Sequence, residues 1–337
     1  MNNQNIIIIA EAGVNHNGNL KIAKELAVQA KIIGADYVKY QSFITELNIL
    51  KDAPKAKYQL EQTNLEQSQF EMLKGLELSL AQTKELKEYC DNIDIGFLTT
   101  PADKENIDLV KTMELDYIKV ASESIVNYPL LQEIGKMKGR VVLSTGMSTL
   151  NEIDSALNVL VESGTRKDDI ILLHCNSQYP TPFEDINLKA MITLSNKFGL
   201  PVGLSDHSLG IEVSIAATAM GACIIEKHFT LDNTMDGPDH RCSLNPFDFS
   251  KMVLMIRNIE SSLGSGQKEP SPSEKINISY MRRSIMAKEN IKAGEILTEE
   301  NLIVKRPGTG LSPMLWPTLI GKRAVKDFNK DDFITLK

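Results

Sequence analysis

Two histidines follow consecutive apolar segments of this 337-residue chain, and the pair could bind a metal ion. His207 follows the apolar run 202–205, and His228 ends the run 222–228. If these runs are neighbouring parallel strands, the two imidazoles meet at one edge of the sheet, and Glu226 points the same way as His228. Two imidazoles completed by carboxylate or water suit a divalent transition ion such as Mn²⁺ or Zn²⁺. The alternative is that each histidine is an ordinary hydrogen-bonded core residue.

A second group of polar residues, also at the ends of apolar runs, could bind a phosphate and a carboxylate on one small ligand. Lys39 and Lys119 supply positive charge. Hydroxyl groups come from other run ends, namely Thr100, Ser122, Ser144 and Ser205. Ammonium and hydroxyl donors together suit an anionic ligand. The alternative is that both lysines pair with acidic neighbours in a structural role, since an unpaired lysine is costly inside a strand.

Eight short apolar runs in the first 230 residues could position these side chains. The runs cover residues 6–12, 37–41, 95–100, 117–121, 141–145, 170–175, 202–205 and 222–228. Helical segments alternate with them, which predicts an α/β fold with a parallel sheet covered on both faces, and eight such units fit a (β/α)8 TIM barrel. The carboxyl ends of barrel strands converge at one mouth, where active sites of this fold lie. A doubly wound sheet is the competitor, but AGVN at 12–15 replaces its GxGxxG fingerprint.

The composition of the chain changes once, near residues 263–275, where glycine, proline and serine cluster. We therefore expect a TIM-barrel catalytic domain over residues 1–262, a linker over 263–280 and a small domain over 281–337. The long segment 43–80 after the second strand would cover the active site.

Composition also bears on partners and location. A net charge of −7 argues against nucleic acid as the main partner. The apolar run 6–10 is far shorter than the roughly 20 residues that span a bilayer, so no membrane association is expected. The four cysteines form no CxxC pair and no signal-peptide pattern opens the chain, so we expect reduced thiols and a cytoplasmic protein.

Seven short motifs along the whole chain carry a family resemblance. They are AEAGVNHNG (10–18), VKYQS (38–42), STGM (144–147), GLSDHS (203–208), EKHFT (226–230), GPDH (237–240) and VKRPG (304–308). With them the chain resembles the bacterial sialic acid synthases, which include the legionaminic acid synthases. The resemblance implies a TIM barrel followed by an antifreeze-like (SAF-type) domain.

The reaction that this resemblance implies joins phosphoenolpyruvate to an N-acetylated amino sugar. With N-acetylmannosamine and water, the products are N-acetylneuraminate (sialic acid) and phosphate. A close alternative is the same reaction on 2,4-diacetamido-2,4,6-trideoxy-mannose, which gives N,N'-diacetyllegionaminate.

The resemblance also implies a role for each site residue. Phosphoenolpyruvate would lie across Lys39, Thr100, Lys119, Ser122, Ser144 and Ser205. A metal, Mn²⁺ before Mg²⁺ or Co²⁺, would be held by His207 and His228 and would polarise the sugar's aldehyde, while Glu226 positions a metal-bound water. Glu11 would transfer a proton near C3 or the attacking water. The sugar would be held by Gln41, Tyr179 and Asp239.

Arg306 receives its role from the resemblance alone. Family members form a domain-swapped homodimer, in which the antifreeze-like domain closes the partner's barrel. Arg306 would then reach the sugar's N-acetyl group in trans. On composition alone, an arginine before Pro307 is simply a surface residue in a loop.

The chain departs from the family pattern at two turns, and both bear on sugar specificity. SES at 122–124 stands where relatives read Ser-Gly-Glu, and Ala102 stands where they often carry phenylalanine.

Two other functions are compatible with the residues of this chain. One is a Schiff-base aldolase with Lys119 or Lys227 as the nucleophile. The other is a sugar- or ice-binding protein built on the antifreeze-like domain.

Overall fold

The computed structural model describes residues 5–56, 59–60, 63 and 67–336. The chain divides into two compact units, Met1–Gly264 and Ser265–Lys337. The first unit contains every candidate site residue except Arg306. Among the described residues, no helix has both the length and the apolar character needed to cross a membrane.

The first unit is built on parallel strands that follow the predicted runs. They are β1 (Ile7–Gly13), β2 (Tyr37–Ser42), β3 (Gly96–Pro101), β4 (Ile118–Val120), β5 (Val141–Ser144), β6 (Ile170–Cys175), β7 (Val202–Asp206) and β8 (Ile224–His228). Their order in the sheet is β3-β2-β1-β8-β7-β6-β5-β4. The two outer strands of this order, β3 and β4, also contact each other, so the sheet curls into a barrel. The predicted (β/α)8 fold is confirmed, with strand ends within about two residues of the prediction.

Helices connect the strands, and most of them cover the outside of the barrel. They are α1 (Leu20–Ile32), α2 (Thr45–Asn48), α3 (Gln69–Leu76), α4 (Leu80–Asn92), α5 (Lys104–Val110), α6 (Tyr128–Lys136), α7 (Leu150–Ser163), α8 (Lys189–Phe198), α9 (Glu212–Ala219) and α10 (Pro246–Leu263). Local sequence sets where several begin. Ser68, Ser79 and Thr149 each form a capping box with the residue three positions on, which satisfies amide groups at the helix start.

The alternation of side chains along each strand explains why polar groups gather at one mouth. Outward residues such as Ile8 and Leu143 are fully buried against the helices. Inward residues change character along the strand: Ile9 precedes Glu11, and Val142 precedes Ser144. The apolar inward residues near the strand starts form one cluster, Ile9, Leu98, Tyr117, Val142, Leu173 and Ile224. The barrel is therefore plugged at its amino end and polar at its carboxyl end.

The second unit is small and mostly irregular, with its own core. It contains α11 (Pro272–Met281), an antiparallel pair β9 (Ser284–Ala287) and β10 (Leu302–Lys305), and α12 (Trp316–Leu319). Phe328 and Leu319 are buried in its core. Residues 263–280, which we expected to be a linker, include most of α11, because Ser271 and Glu274 form a capping box that starts a helix there.

Candidate active site

A cavity of about 470 Å³ opens at the carboxyl ends of the barrel strands. It is lined by Glu11, Lys39, Gln41, Thr100, Lys119, Ser122, Ser144, Tyr179, Ser205, His207, Glu226, His228 and Asp239. These are the site residues predicted from the sequence of the barrel, and the structure brings them together, although the role of each stays a prediction. Arg306 lies in the second unit, where it is exposed and its Nε donates to the carbonyl of Met281 at 3.1 Å.

Two buried lysines and two buried glutamates form a charge network in the cavity wall. Nζ of Lys39 lies 2.9 Å from Oε2 of Glu11 and 3.7 Å from Oε2 of Glu226. Lys119 donates to Oγ of Ser144 at 2.7 Å, and its Nζ lies 3.9 Å from Oε1 of Glu226. The acidic pairing that we considered as a structural alternative therefore occurs, and it occurs where an anionic ligand can replace the carboxylates as a partner.

The pKa values in this network follow from burial and from neighbouring charge. Burial would raise the pKa of Glu226, but Lys119 and Lys39 hold it at about 2, so this carboxylate is ionised. Burial raises the pKa of Glu11 as well, and here Lys39 offsets only part of the rise. A carboxyl group whose pKa is raised can exchange a proton closer to neutral pH. Glu11 is therefore the member of the network best suited to proton transfer.

The two predicted metal ligands face each other in the same cavity. The ring centroids of His207 and His228 are 5.4 Å apart, with 67° between the ring planes. Nδ1 of His207 donates to the carbonyl of Asn176, which leaves the lone pair on Nε2, 3.1 Å from Oγ of Ser205. Nδ1 of His228 is buried, has no hydrogen-bond partner in the described part of the chain and lies 3.6 Å from Oδ2 of Asp239. Burial lowers the pKa of both histidines to about 3, so both rings are neutral, the form that binds metals.

This donor set fits a divalent ion that has two protein ligands and several open positions. In the ranges that the structure describes, no three His, Cys, Asp or Glu side chains are grouped so that they could hold an ion alone. An ion between His207 and His228 would complete its shell with substrate or water. Open coordination positions are what distinguishes a catalytic metal site from a structural one.

The groups predicted to hold a sugar lie beside the imidazoles. Nε2 of Gln41 donates to Oε1 of Glu11 at 3.1 Å, and the ring of Tyr179 is 4.2 Å from that of His207. Burial, with a smaller contribution from Glu11, raises the pKa of Asp239 to about 7. This end of the cavity therefore offers an amide, an aromatic ring and a carboxyl group that can act as donor or acceptor.

One wall of the cavity is apolar, and its residues were not predicted from the sequence. They are Val14, Phe43, Ile49, Met72 and Leu73. Most of them come from the segment after β2 that was expected to cover the site, and Val14, Met72 and Leu76 also form a small buried cluster. The spacing of Met72 and Leu76 on α3 was a usable signal, since residues four apart share one face of a helix.

The turn after β4, where the chain departs from the family pattern, forms without glycine. Residues Ser122–Ser124 make a short 3₁₀ turn. Oγ of Ser122 accepts from the amide of Gly146 at 3.0 Å. A Cβ at position 146 would lie 2.8 Å from that Oγ and 2.6 Å from Oγ of Ser177, so the close approach needs a glycine on the other strand end. The side chain of Ser122 is thus held by the amide of Gly146, just after β5, without a glycine in its own turn.

Lys227 does not face the cavity, which contradicts its interpretation as a Schiff-base nucleophile. Its Nζ lies 2.9 Å from Oδ2 of Asp206 and donates to the carbonyl of Ser208 at 2.7 Å. Its side chain is 1% exposed. Alternation along β8 directs Glu226 and His228 inward and therefore Lys227 outward.

The fold and the site together define a barrel enzyme whose mouth places two buried ammonium groups beside a pair of neutral imidazoles. The chain belongs to the NeuB family, whose sequence pattern matches residues 26–268, and residues 282–337 match the SAF domain. The predicted family and the predicted antifreeze-like domain are confirmed. So is the prediction of a phosphoenolpyruvate-dependent synthase of the sialic acid type, at the level of the family.

Known relatives cover nearly the whole chain. An N,N'-diacetyllegionaminic acid synthase of Campylobacter jejuni is 48% identical over 328 residues, which is 97% of this chain and 98% of that protein. A protein of the same name from Legionella pneumophila is 43% identical over 94% of this chain and 89% of its own. The crystal structure of an N-acetylneuraminic acid synthetase from Leptospira borgpetersenii in complex with citrate is 35% identical, with a TM-score of 0.72 over 82% of this chain and 91% of that one.

Proposed function

We propose that this protein condenses phosphoenolpyruvate with 2,4-diacetamido-2,4,6-trideoxy-mannose and water to give N,N'-diacetyllegionaminate and phosphate. The observation that carries the reaction is the cavity that joins two buried ammonium groups to a pair of neutral imidazoles. The names of two relatives, at 48% and 43% identity, support this sugar over N-acetylmannosamine, which the motifs alone favoured. N-Acetylmannosamine is the second candidate, supported by the 35% identical synthetase.

The apolar wall supports the same choice of sugar. At C6 the diacetamido sugar carries a methyl group where N-acetylmannosamine carries a hydroxymethyl group, and at C4 it carries an acetamido group, which ends in a methyl, in place of a hydroxyl. Phe43, Met72 and Leu73 can bury such groups, whereas a hydroxyl against them would lose its hydrogen bonds with water.

Binding of phosphoenolpyruvate would fall to the charge network. Lys39 and Lys119 would exchange their carboxylate partners for the phosphate and carboxylate of the ligand, assisted by the hydroxyls of Ser144 and Thr100, the latter 3.3 Å from Nζ of Lys39. C3 of phosphoenolpyruvate then forms the new bond to the aldehyde carbon, whose oxygen takes up a proton and becomes a hydroxyl group, and water adds at C2. The C2–O bond to phosphate breaks, the proton of the C2 hydroxyl leaves with the phosphate, and a keto acid remains. Glu11, no longer paired with Lys39, would accept the proton of the attacking water.

A divalent ion held by His207 and His228, with Mn²⁺ as the first expectation and Mg²⁺ or Co²⁺ as alternatives, would polarise the aldehyde when bound. Glu226 would position a water molecule near that ion. Its carboxylate is oriented by the hydrogen bond that Oε1 accepts from Ser205 at 2.8 Å.

The four cysteines are free thiols, in keeping with the cytoplasmic location that we propose.

The sugar preference gives a direct test. Phosphate release from phosphoenolpyruvate should show a kcat/KM at least about tenfold higher with the diacetamido sugar than with N-acetylmannosamine, the discrimination that one buried methyl group provides. Met72→Gln should shrink this ratio, because it places an amide in the apolar wall. A preference for N-acetylmannosamine would make the second candidate correct, and no turnover of either sugar would refute the synthase.

We also propose the domain-swapped homodimer, with Arg306 acting in the partner's site. Arg306→Ala and His207→Ala homodimers should each be nearly inactive. Refolding or exchanging an equal mixture should restore about a quarter of full activity, since half of the dimers are mixed and each contains one complete site. If Arg306 acts within its own chain, or the protein is monomeric, the mixture stays as inactive as its components.

A further inference from the structure

A buried ion pair joins β7 and β8 one residue before each of the two imidazoles. Asp206 and Lys227 are register partners across the two strands, and Nζ of Lys227 lies 2.9 Å from Oδ2 of Asp206. Each side chain is only 1% exposed. Alternation turns both away from the cavity, toward α9, so neither can contact a substrate there. The reaction proposed above gives this pair no task.

The pair holds the backbone that follows His207. Oδ1 of Asp206 accepts from the amide of Ser208 at 2.9 Å and from its hydroxyl at 2.6 Å. Lys227 donates to the carbonyl of the same serine at 2.7 Å. Oδ2 of Asp206 also accepts from Oγ of Ser214 on α9 at 2.7 Å. The peptide groups that follow His207 are therefore held by the ion pair.

His207 needs such support because it lies just beyond the end of β7. Its ring is oriented by the Asn176 carbonyl and its own carbonyl accepts from Thr181 at 2.9 Å, both from the loop after β6. Neither contact relates His207 to His228. Within the described residues, two side-chain contacts tie the β7 end to the β8 end: the hydrogen bond from Ser205 to Glu226 on the cavity side, and the Asp206–Lys227 pair on the opposite side, which also holds the chain after His207.

A fully buried ion pair adds little to the free energy of unfolding, because the cost of removing two charges from water offsets much of their attraction. What such a pair can supply is a single permitted geometry, since both charges must stay together and stay hydrogen-bonded. Groups that orient ligating imidazoles typically change metal affinity by roughly 10- to 100-fold when they are removed.

We propose that Asp206 and Lys227 are a positioning pair that sets the separation and angle of His207 and His228 and thereby the affinity of the site for a divalent cation. This inference rests on the metal site of the proposed function. It concerns geometry and does not require either residue to touch the ion or the substrate.

The test measures Mn²⁺ binding without turnover, by titrating the purified protein and following the paramagnetic resonance signal of free Mn²⁺. Asp206→Asn and Lys227→Met should each weaken Mn²⁺ binding roughly 10- to 100-fold. Each should also lower the melting temperature, because one buried charge is left without its partner.

The double variant Asp206→Asn/Lys227→Met separates positioning from stability. Removing both charges should recover much of the lost melting temperature, but Mn²⁺ binding should stay weak because this tie between the strands is gone. If Mn²⁺ affinity returns together with stability, the pair is structural and the inference is wrong.

Two further variants serve as controls. Arg257→Met removes an ion pair with Asp36 (2.9 Å) near the amino ends of the strands, and should lower the melting temperature without changing Mn²⁺ affinity. His207→Ala should abolish specific Mn²⁺ binding. If the unmodified protein has no binding that His207→Ala removes, the metal site itself fails. If it has, and the pair variants bind as tightly as the unmodified protein, only the positioning role fails.

Discussion

His207→Ala should lower kcat by at least about a thousandfold, because several kcal/mol of carbonyl polarisation correspond to about three factors of ten in rate. The ring is one half of the imidazole pair at 5.4 Å, and a single remaining histidine cannot chelate an ion. Steady-state phosphate release at saturating phosphoenolpyruvate measures the loss. A strong chelator should reduce the unmodified enzyme to the same residual rate, and added Mn²⁺ should restore the unmodified enzyme but not the variant.

His174→Ala is the matched control for this prediction. His174 lies on β6 and is largely buried, but its Nε2 is bonded to the carbonyl of Ile186 at 2.7 Å, and burial likewise lowers its pKa. Its removal should cost stability without the thousandfold loss of rate. Should His207→Ala retain more than about a tenth of the unmodified kcat, or should the chelator have no effect, the carbonyl is activated by other means.

The inward residues of the barrel are the part of the site that could be predicted from the sequence alone. Each strand places at least one inward residue near its carboxyl end, so period-two alternation was enough to predict that Glu11, Ser144 and His228 share a cavity. The barrel's closure follows from eight such units. These are local regularities, and a sequence displays them directly.

The sequence could not show which partner each charged side chain chooses. Lys119 and Lys227 both lie one residue before a strand end, and both were predicted as candidate Schiff-base nucleophiles. The structure places Lys119 in the cavity and pairs Lys227 with Asp206 on the opposite face. Alternation along β8 turns Lys227 away from the side of Glu226 and His228, but its pairing with Asp206 depends on the register between β7 and β8, which is a long-range property.

The apolar wall and α11 were missed for a related reason. Met72 and Phe43 both line the cavity although more than 20 residues separate them in the sequence, and no local pattern predicts that they come together. At α11, the proline and serine residues that suggested a linker are instead the start of a helix. Pro272 occupies the first turn, where its missing amide proton is not needed.

The second large effect is expected from Lys119→Met, which should reduce kcat/KM for phosphoenolpyruvate by roughly 100-fold or more. Methionine preserves the length of the side chain but removes the charge that holds Ser144 at 2.7 Å and faces Glu226. The variant loses a charge-assisted contact with an anionic ligand, and it also leaves Glu226 with Lys39 alone, at 3.7 Å. The loss should appear mainly as a higher KM for phosphoenolpyruvate, with a smaller change in the KM for the sugar.

Lys24→Met removes a lysine that pairs at the surface with Glu85, and it should leave both constants unchanged because exposed pairs contribute little. Lys119→Arg keeps the charge but requires space for a planar group, so we expect only partial recovery. The double variant Lys119→Met/Glu226→Gln also removes the Glu226 carboxylate, which the single variant leaves without the Lys119 ammonium group. If this double variant regains affinity for phosphoenolpyruvate, the effect of Lys119 comes from balancing Glu226. If it does not, Lys119 binds the anion itself, which is the outcome that the proposed reaction requires.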